Sequence, residues 1–252
     1  MGTHVERLES GIAVLTVDHP PVNALPADGW QELAAAVRDT GANPATRAVV
    51  LRAEGRGFNA GVDIKELAAD PGHTKLVEVN HGCYDAFRAV YECPVPVITA
   101  VQGFCLGGGI GLVGNSDVVI ASEDAEFGLP EVDRGALGAA THLARLVPQH
   151  LMRTMFYTGR TVSAHQLEHF GSVWQVVPAD RLRAAALDLA GEIADKDPVV
   201  IRRAKEALNG IDPVDVNRSY RFEQGFTFEL NLSGVADRAR ADFVDGSGNS
   251  QA

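Results

Sequence analysis

The stretch Val95-Pro96-Val97-Ile98-Thr99-Ala100-Val101-Gln102-Gly103-Phe104-Cys105-Leu106-Gly107-Gly108-Gly109 decides the fold class of this chain. Its first part, residues 95–100, is an apolar run of strand length. Its end, three consecutive glycines ahead of an apolar segment, reads as a helix N-terminus with exposed backbone amides. The same alternation continues on both sides. Upstream, residues 12–17 and 48–52 read as strands, and residues 28–40 as an amphipathic helix with Trp30, Leu33 and Val37 at helical spacing. Residues 73–92 form a long helical stretch, and residues 118–121 another strand. Strands separated by helices imply parallel pairing through crossover helices, an α/β fold. From Pro130 the pattern turns almost wholly helical, over residues 149–158, 164–170, 181–195 and 199–208. A final run, residues 214–244, mixes Tyr220, Phe222, Phe226 and Phe228 with charge. The division expected is a core over residues 1–195, a helical region over 196–245, and a Gly/Ser/Asn-rich frayed tail at 246–252.

Composition narrows the function classes. The chain has 252 residues, 46% hydrophobic, with 33 acidic against 22 basic residues and a formal net charge of -11. A diffuse acidic surface argues against nucleic-acid partners and an anionic membrane face, though a few local cations can still hold phosphates. The three cysteines, Cys83, Cys93 and Cys105, show no CxxC pair or metal-ligand spacing and point to reduced thiols. The polar start of the chain carries no signal-peptide pattern, and no apolar run reaches the length of a membrane span. A cytoplasmic location is therefore expected.

A second loop stands beside the triple glycine. In Phe58-Asn59-Ala60-Gly61-Val62-Asp63-Ile64 a strand ends in a turn of small residues, and Asp63 is placed to cap a helix starting near Ile64. Gly61 allows close approach of a ligand to the backbone, with the Val62 amide outward. Two amides from two such loops, converging on one carbonyl oxygen, would stabilise an enolate or a tetrahedral oxyanion. Taken alone, a Gly-rich turn between a strand and a helix is more often tight packing than catalysis. The triple glycine is neither GxGxxG nor a phosphate loop ending in Gly-Lys-Ser/Thr.

Taken in order, Pro21-Val22-Asn23-Ala24-Leu25, residues 58–64, residues 103–109, Phe127-Gly128-Leu129-Pro130-Glu131, Thr158-Gly159-Arg160-Thr161-Val162-Ser163-Ala164 and Gly171-Ser172-Val173 resemble the successive motifs of the crotonase (enoyl-CoA hydratase/isomerase) family. The resemblance spans about residues 5–245. It implies a crotonase-like spiral of ββα turns with a helical C-terminal trimerisation region, assembled as a homotrimer or a dimer of trimers. It also implies an acyl-CoA thioester substrate whose carbonyl sits between the N–H groups of Val62 and Gly108. Gly107 and Gly61 flank that point. Ala24, Ala60, Asp63 and Ile64 match backbone contacts for the adenine and pantetheine, and Arg56 and Lys65 match cations for the CoA phosphates. No metal, NAD or flavin is implied, since coenzyme A arrives on the substrate.

Hydratases of the family use two glutamates. One corresponds to Glu131, in a setting of Phe127 and Leu129 that would raise its pKa. The other position is Gly111, which cannot titrate and would leave room for a bulky acyl group. Asp133 lies two residues from Glu131 and points elsewhere. His81 and His142 are weaker candidate bases, and Asn115 and Asp117 read as caps of the glycine-led helix. Residues 134–143 are about three residues shorter than the usual passage of the family. These departures, with residues 54–63, 109–117 and 224–232, resemble a branch of the family that hydrolytically opens a carbon ring in steroid degradation, acting on a bicyclic keto-acyl-CoA. Single-glutamate hydration or isomerisation of fatty-acid-type substrates is the alternative. A non-catalytic CoA-binding scaffold is the third reading, and the retention of Glu131 and both loops argues against it.

Overall fold

The computed structural model describes residues 1–70 and 72–244, with side chains as far as residue 241. Strands β1 (Gly2–Arg7), β2 (Ile12–Asp18), β3 (Ala48–Ala53), β4 (Val97–Val101), β6 (Val118–Ser122) and β9 (Gln175–Val177) form one sheet in the order β1-β2-β3-β4-β6-β9. Only the β1–β2 pair is antiparallel. Strands β5 (Phe104–Leu106), β7 (Glu126–Gly128) and β8 (Thr161–Ser163) form a second, smaller sheet. The central strands β2, β3, β4 and β6 are mostly apolar runs, without strict alternation, because both of their faces are covered. Ala13, Leu15, Val49 and Leu51 face one cluster, while Ile12, Val14, Ala48 and Val50 face another.

Helices α1 (Ala27–Ala42) and α3 (Thr74–Tyr91) pack together over the first face. Trp30, Leu33, Ala34 and Val37 meet Val79, Cys83, Ala86, Phe87 and Val90 there, the side chains that helical spacing singles out. Between these helices lies the short α2 (Ile64–Ala68), and α4 (Gly108–Val113) follows the triple glycine. A 3₁₀ turn at Pro130–Arg134 leads to α5 (Ala140–Leu143), α6 (Gln149–Thr158) and α7 (Ala164–Phe170). On the opposite face of the sheet, α8 (Leu182–Ala194) packs through Leu182, Ala186, Ala190 and Ala194.

The expected boundary at 195/196 falls in the turn between α8 and α9 (Pro198–Gly210). Helix α9 is fastened to the core: Lys205 Nζ binds the Asp117 carboxylate at 2.7 Å, and Arg202 donates to the carbonyls of Gly41, Asn43 and Thr46. Helices α10 (Val216–Leu232) and α11 (Val235–Val244) return across α3, α5 and α2. The expected tail, residues 246–252, lies outside the described residues.

Several short elements depart from the sequence reading. The polar N-terminus is strand β1, an edge strand with much of its length exposed. The region after Pro130 also contains β8 and β9, each three residues long and too short for a periodic signal. Among the described residues no helix is long and apolar enough to cross a membrane.

Candidate active site

Parallel rungs build the site. Leu25 bridges Val62, Asn59 bridges Cys105, and β5 pairs with β7, so four chain segments lie side by side. Two buried asparagines lock them. Asn23 Nδ2 donates to the carbonyls of Glu54 (2.8 Å) and Gly57 (2.9 Å), and Asn59 Nδ2 donates to Asn23 O at 2.6 Å. Such fully used side-chain amides fix irregular backbone where no regular ladder can.

The hydrogen-bond pattern singles out two amides. Gly61 N–H donates to Asn59 Oδ1 and Asp63 N–H to Leu25 O, each at about 2.8–2.9 Å, which leaves Val62 N–H between them uncommitted. In the second loop Leu106 N–H donates to Asn59 O, Gly107 N–H to Gly128 O and Ile110 N–H to Gly107 O. Gly108 opens α4, where the first-turn amides lack intrahelical acceptors. Among the described residues neither Val62 N–H nor Gly108 N–H donates a hydrogen bond.

Glycine is required where the loops touch. Gly61 has φ 89° and Gly107 φ 58°, both in the left-handed range. A Cβ on Gly61 would stand 3.2 Å from Gly108 N, and one on Gly107 would run into Glu131 Oε1. The two turns and the Glu131 carboxyl are therefore in mutual contact. The Gly107–Gly128 bond ties the triple glycine to β7, three residues before Glu131, and so sets that proximity.

Glu131 sits in the 3₁₀ turn behind Pro130. Its Oε2 is out of solvent contact and accepts no hydrogen bond from the described residues. Burial pushes its carboxyl up to about 8. Its own N–H and the Arg134 charge pull the other way, and Glu223 adds a small upward push. A buried, unpaired carboxyl is held neutral near pH 7.

Val62, Gly108 and Glu131 line one cavity of about 90 Å³, smaller than the roughly 300–1,000 Å³ of pockets that engulf a drug-sized ligand. Its walls come from α2 and α3 (Leu67, Leu76, Val79), from the loop at residues 136–139, and from α10 and α11. The loop is pinned by α10: Thr227 Oγ1 donates to Leu137 O at 2.6 Å. The Glu223 carboxylate accepts from the Ala140 and Thr141 amides at 2.7 and 3.2 Å. Cys83 also lines the cavity, with burial raising its thiol pKa so that it stays protonated.

The other expected residues fall into three groups. Ala24, Ala60, Asp63 and Ile64 flank the Leu25–Val62 bridge, half-buried, and Asp63 Oδ1 caps α2 by accepting from Lys65 N at 2.9 Å. Arg56 and Lys65 are exposed and lie outside the cavity lining, with the Arg56 guanidinium 5.9 Å from the centre of the Phe104 ring. Asp133 is turned toward Gly159, away from the cavity, and His81 is exposed.

Three readings need correction. The space beside Gly111 is not empty, because a Cβ there would enter the Phe87 ring. Any room for a large acyl group must come from elsewhere. His142 is buried, bonded to Asn115 Oδ1 at 3.1 Å, and packed against Phe87 and Tyr220. Burial, with the Arg145 charge adding to it, lowers its pKa to about 3, so it is a neutral packing residue. Asn115 and Asp117 do not cap α4. Asn115 Nδ2 donates to Phe87 O, and Asp117 accepts from Val97 N and Lys205. Asn231 and Arg240, which sequence reasoning missed, also line the cavity.

Parallel rungs, two uncommitted amides and a buried carboxyl thus meet on one cavity. The family model for enoyl-CoA hydratase/isomerase matches residues 7–225, and the chain belongs to that family. It is 67% identical over 235 residues to a (7aS)-7a-methyl-1,5-dioxo-2,3,5,6,7,7a-hexahydro-1H-indene-carboxyl-CoA hydrolase of Rhodococcus jostii, covering 93% of this chain and 91% of the relative. To the hydrolase of the same description from Mycobacterium tuberculosis it is 68% identical over 236 residues, covering 94% and 96%. The crystal structure of an enoyl-CoA hydratase/isomerase from Xanthobacter autotrophicus Py2 superposes with a TM-score of 0.86 at 27% identity, covering 99% of both chains.

Proposed function

We propose that the protein hydrolytically opens a ring of a bicyclic keto-acyl-CoA of the dioxo-hexahydroindene-carboxyl type, in steroid degradation. The identity of about two residues in three to hydrolases of that description, over nearly the whole of both chains, carries this reading. In the proposed reaction the thioester oxygen lies between Val62 N–H and Gly108 N–H, and Glu131 moves the protons. Water gives a proton to the Glu131 carboxylate and bonds through oxygen to the ring carbonyl carbon, whose π pair moves onto the carbonyl oxygen. That pair returns as the adjacent C–C bond breaks. The bond electrons pass through the conjugated system onto the thioester oxygen, where two amide dipoles in a water-poor site stabilise the enolate. Glu131 returns its proton to carbon, and the new carboxylic acid ionises to solvent.

Only water is consumed and one carboxyl serves both transfers, so no cofactor is required beyond the coenzyme A of the substrate. Along this path Ala24, Ala60, Asp63 and Ile64 receive the pantetheine and adenine, Gly61 and Gly107 flank the thioester, and Arg56 and Lys65 take the phosphates. Because the cavity is small, the wall at residues 136–139 must yield to admit a fused bicycle. The family makes an acyl-CoA substrate the general expectation, and we read the assembly as a cytoplasmic homotrimer or dimer of trimers. The exposed apolar residues Val199, Val200 and Leu208 of α9 and Ile211 just after it support association, and the three free, buried cysteines suit a reducing compartment.

The test is incubation of the purified protein with the dioxo-hexahydroindene-carboxyl-CoA thioester in ¹⁸O-water, read by mass spectrometry. Ring opening puts one label in a new carboxylate and keeps the thioester intact. Rapid hydration of crotonyl-CoA with no label entering a carboxylate would instead establish the single-glutamate hydratase.

A further inference from the structure

Helix α10 is inverted relative to an ordinary surface helix. Its buried side carries Tyr220, Gln224, Thr227 and Asn231, while Phe222, Phe226 and Leu232 face solvent. Surface helices turn their apolar stripe inward, so a polar stripe turned toward an acyl cavity needs a reason. Tyr220, Thr227 and Asn231 line that cavity, joined by Arg240 of α11.

Arg240 is only 9% exposed. One Nη donates to Asn231 Oδ1 at 2.7 Å and the other to Asp237 Oδ1 at 2.5 Å. Asn231 is itself oriented, its Nδ2 donating to Thr227 O at 2.7 Å, and Thr227 holds the cavity loop through Leu137 O. A guanidinium carries five N–H donors, and the bonds to Asn231 and Asp237 leave Nε–H and further Nη–H donors for a ligand. Among the described residues Arg240 is the one cation lining the cavity, and its counter-charge, Asp237, is more than half exposed. A simple hydrocarbon acyl chain would gain nothing from such a wall and would offer the remaining guanidinium donors no acceptor.

We propose that Arg240, positioned by Asn231, is the subsite for the far oxygen of the acyl group, the ring carbonyl oxygen that becomes the product carboxylate. This assignment rests on the ring-opening reading, since only that reaction creates a new anion at the distal end of the acyl group. The guanidinium binds the neutral ketone weakly, the tetrahedral oxyanion more strongly, and the carboxylate through a two-point contact. It is thus a second anion site, separate from the paired amides that take the thioester oxygen.

The experiment compares inhibition by the ring-opened thioester and by butyryl-CoA, which lacks the second carboxylate, in the full-length wild type, Arg240→Met and Arg240→Lys. Arg240→Met is expected to weaken the ring-opened thioester about 10- to 100-fold and leave butyryl-CoA unchanged, with Arg240→Lys intermediate. Equal weakening of both ligands, or of neither, overturns the assignment. Should Arg240→Met not fold, Asp237→Asn decides: loss of the counter-charge tightens the carboxylate-bearing ligand alone, and unchanged or weaker affinity overturns it. Failure of the wild type to open the ring would remove the functional reading itself. Intact opening with unaltered product affinity in Arg240→Met would remove only this subsite.

Discussion

Two carboxyls, Glu131 in the cavity lining and Glu223 behind the loop that closes the cavity, have opposite surroundings. Glu223, on α10, accepts the Ala140 and Thr141 amides and so caps α5. Glu131, in the 3₁₀ turn, has an Oε2 out of solvent contact with no partner among the described residues. Burial raises the pKa of both, but in Glu223 the hydrogen bonds pull it back. Withdrawal from water therefore does not by itself mark a proton-transfer group. What distinguishes Glu131 is an uncommitted oxygen on a side chain that lines the same cavity as two uncommitted amides. The Asp117–Lys205 pair resembles Glu223 in this respect: it is charged and largely enclosed, but fully satisfied, and it holds α9 to the core.

The largest difference should appear in turnover. Glu131→Gln keeps the shape, removes the base, and is expected to lower kcat by about 10²–10⁴-fold with normal folding. A smaller loss would make Glu131 a second Glu223. Next, Lys205→Ala strands Asp117 and should destabilise the chain by about 3 kcal/mol in denaturant unfolding. That is the low end for a broken buried pair, because Asp117 keeps the Val97 N–H and some solvent, and kcat should hold.

The pH dependence sharpens the contrast further. With the Glu131 carboxyl pushed up to about 8, its base form is the minor species at neutral pH. In the free enzyme kcat/KM should therefore rise about tenfold per pH unit below 8 and level off above it. The stability sign is opposite to that of an ordinary paired carboxylate. A raised folded-state pKa makes the wild type lose stability as pH climbs from the unfolded-state value toward 8. Glu131→Gln should remove that slope in a Tm-against-pH series. The smallest effect is Glu223→Ala, about 1–2 kcal/mol of stability from two orphaned amides, with turnover surviving.

Much of this site was legible in sequence order. The glycine pair Gly61 and Gly107, the cap Asp63 and the carboxyl Glu131 each sit in short local motifs whose spacing survives folding. The fold class was legible for the same reason, since β2, β3, β4 and β6 are apolar runs separated by helical ones. What failed depended on distant partners. Gly111 reads as vacant space, yet Phe87 arrives from α3 to fill it. Asn115 and Asp117 look like caps because they follow a helix, whereas their partners come from α3, α5, β4 and α9. Strand β1 lies at an edge, where one covered face imposes little pattern. Helix α10 carried a usable signal: polar residues at 224, 227 and 231 stand at helical spacing, offset from Phe222 and Phe226. Which of the two faces turned inward could be decided only by the cavity it helps to close.

The central claim concerns the thioester oxygen, and a crystal structure with a non-hydrolysable analogue of the bicyclic acyl-CoA tests it most directly. The account predicts that oxygen at about 2.7–3.1 Å from both the Val62 and Gly108 nitrogens, with the Glu131 carboxyl facing the ring. A carbonyl bound away from both amides, or amides turned to other acceptors, would contradict it.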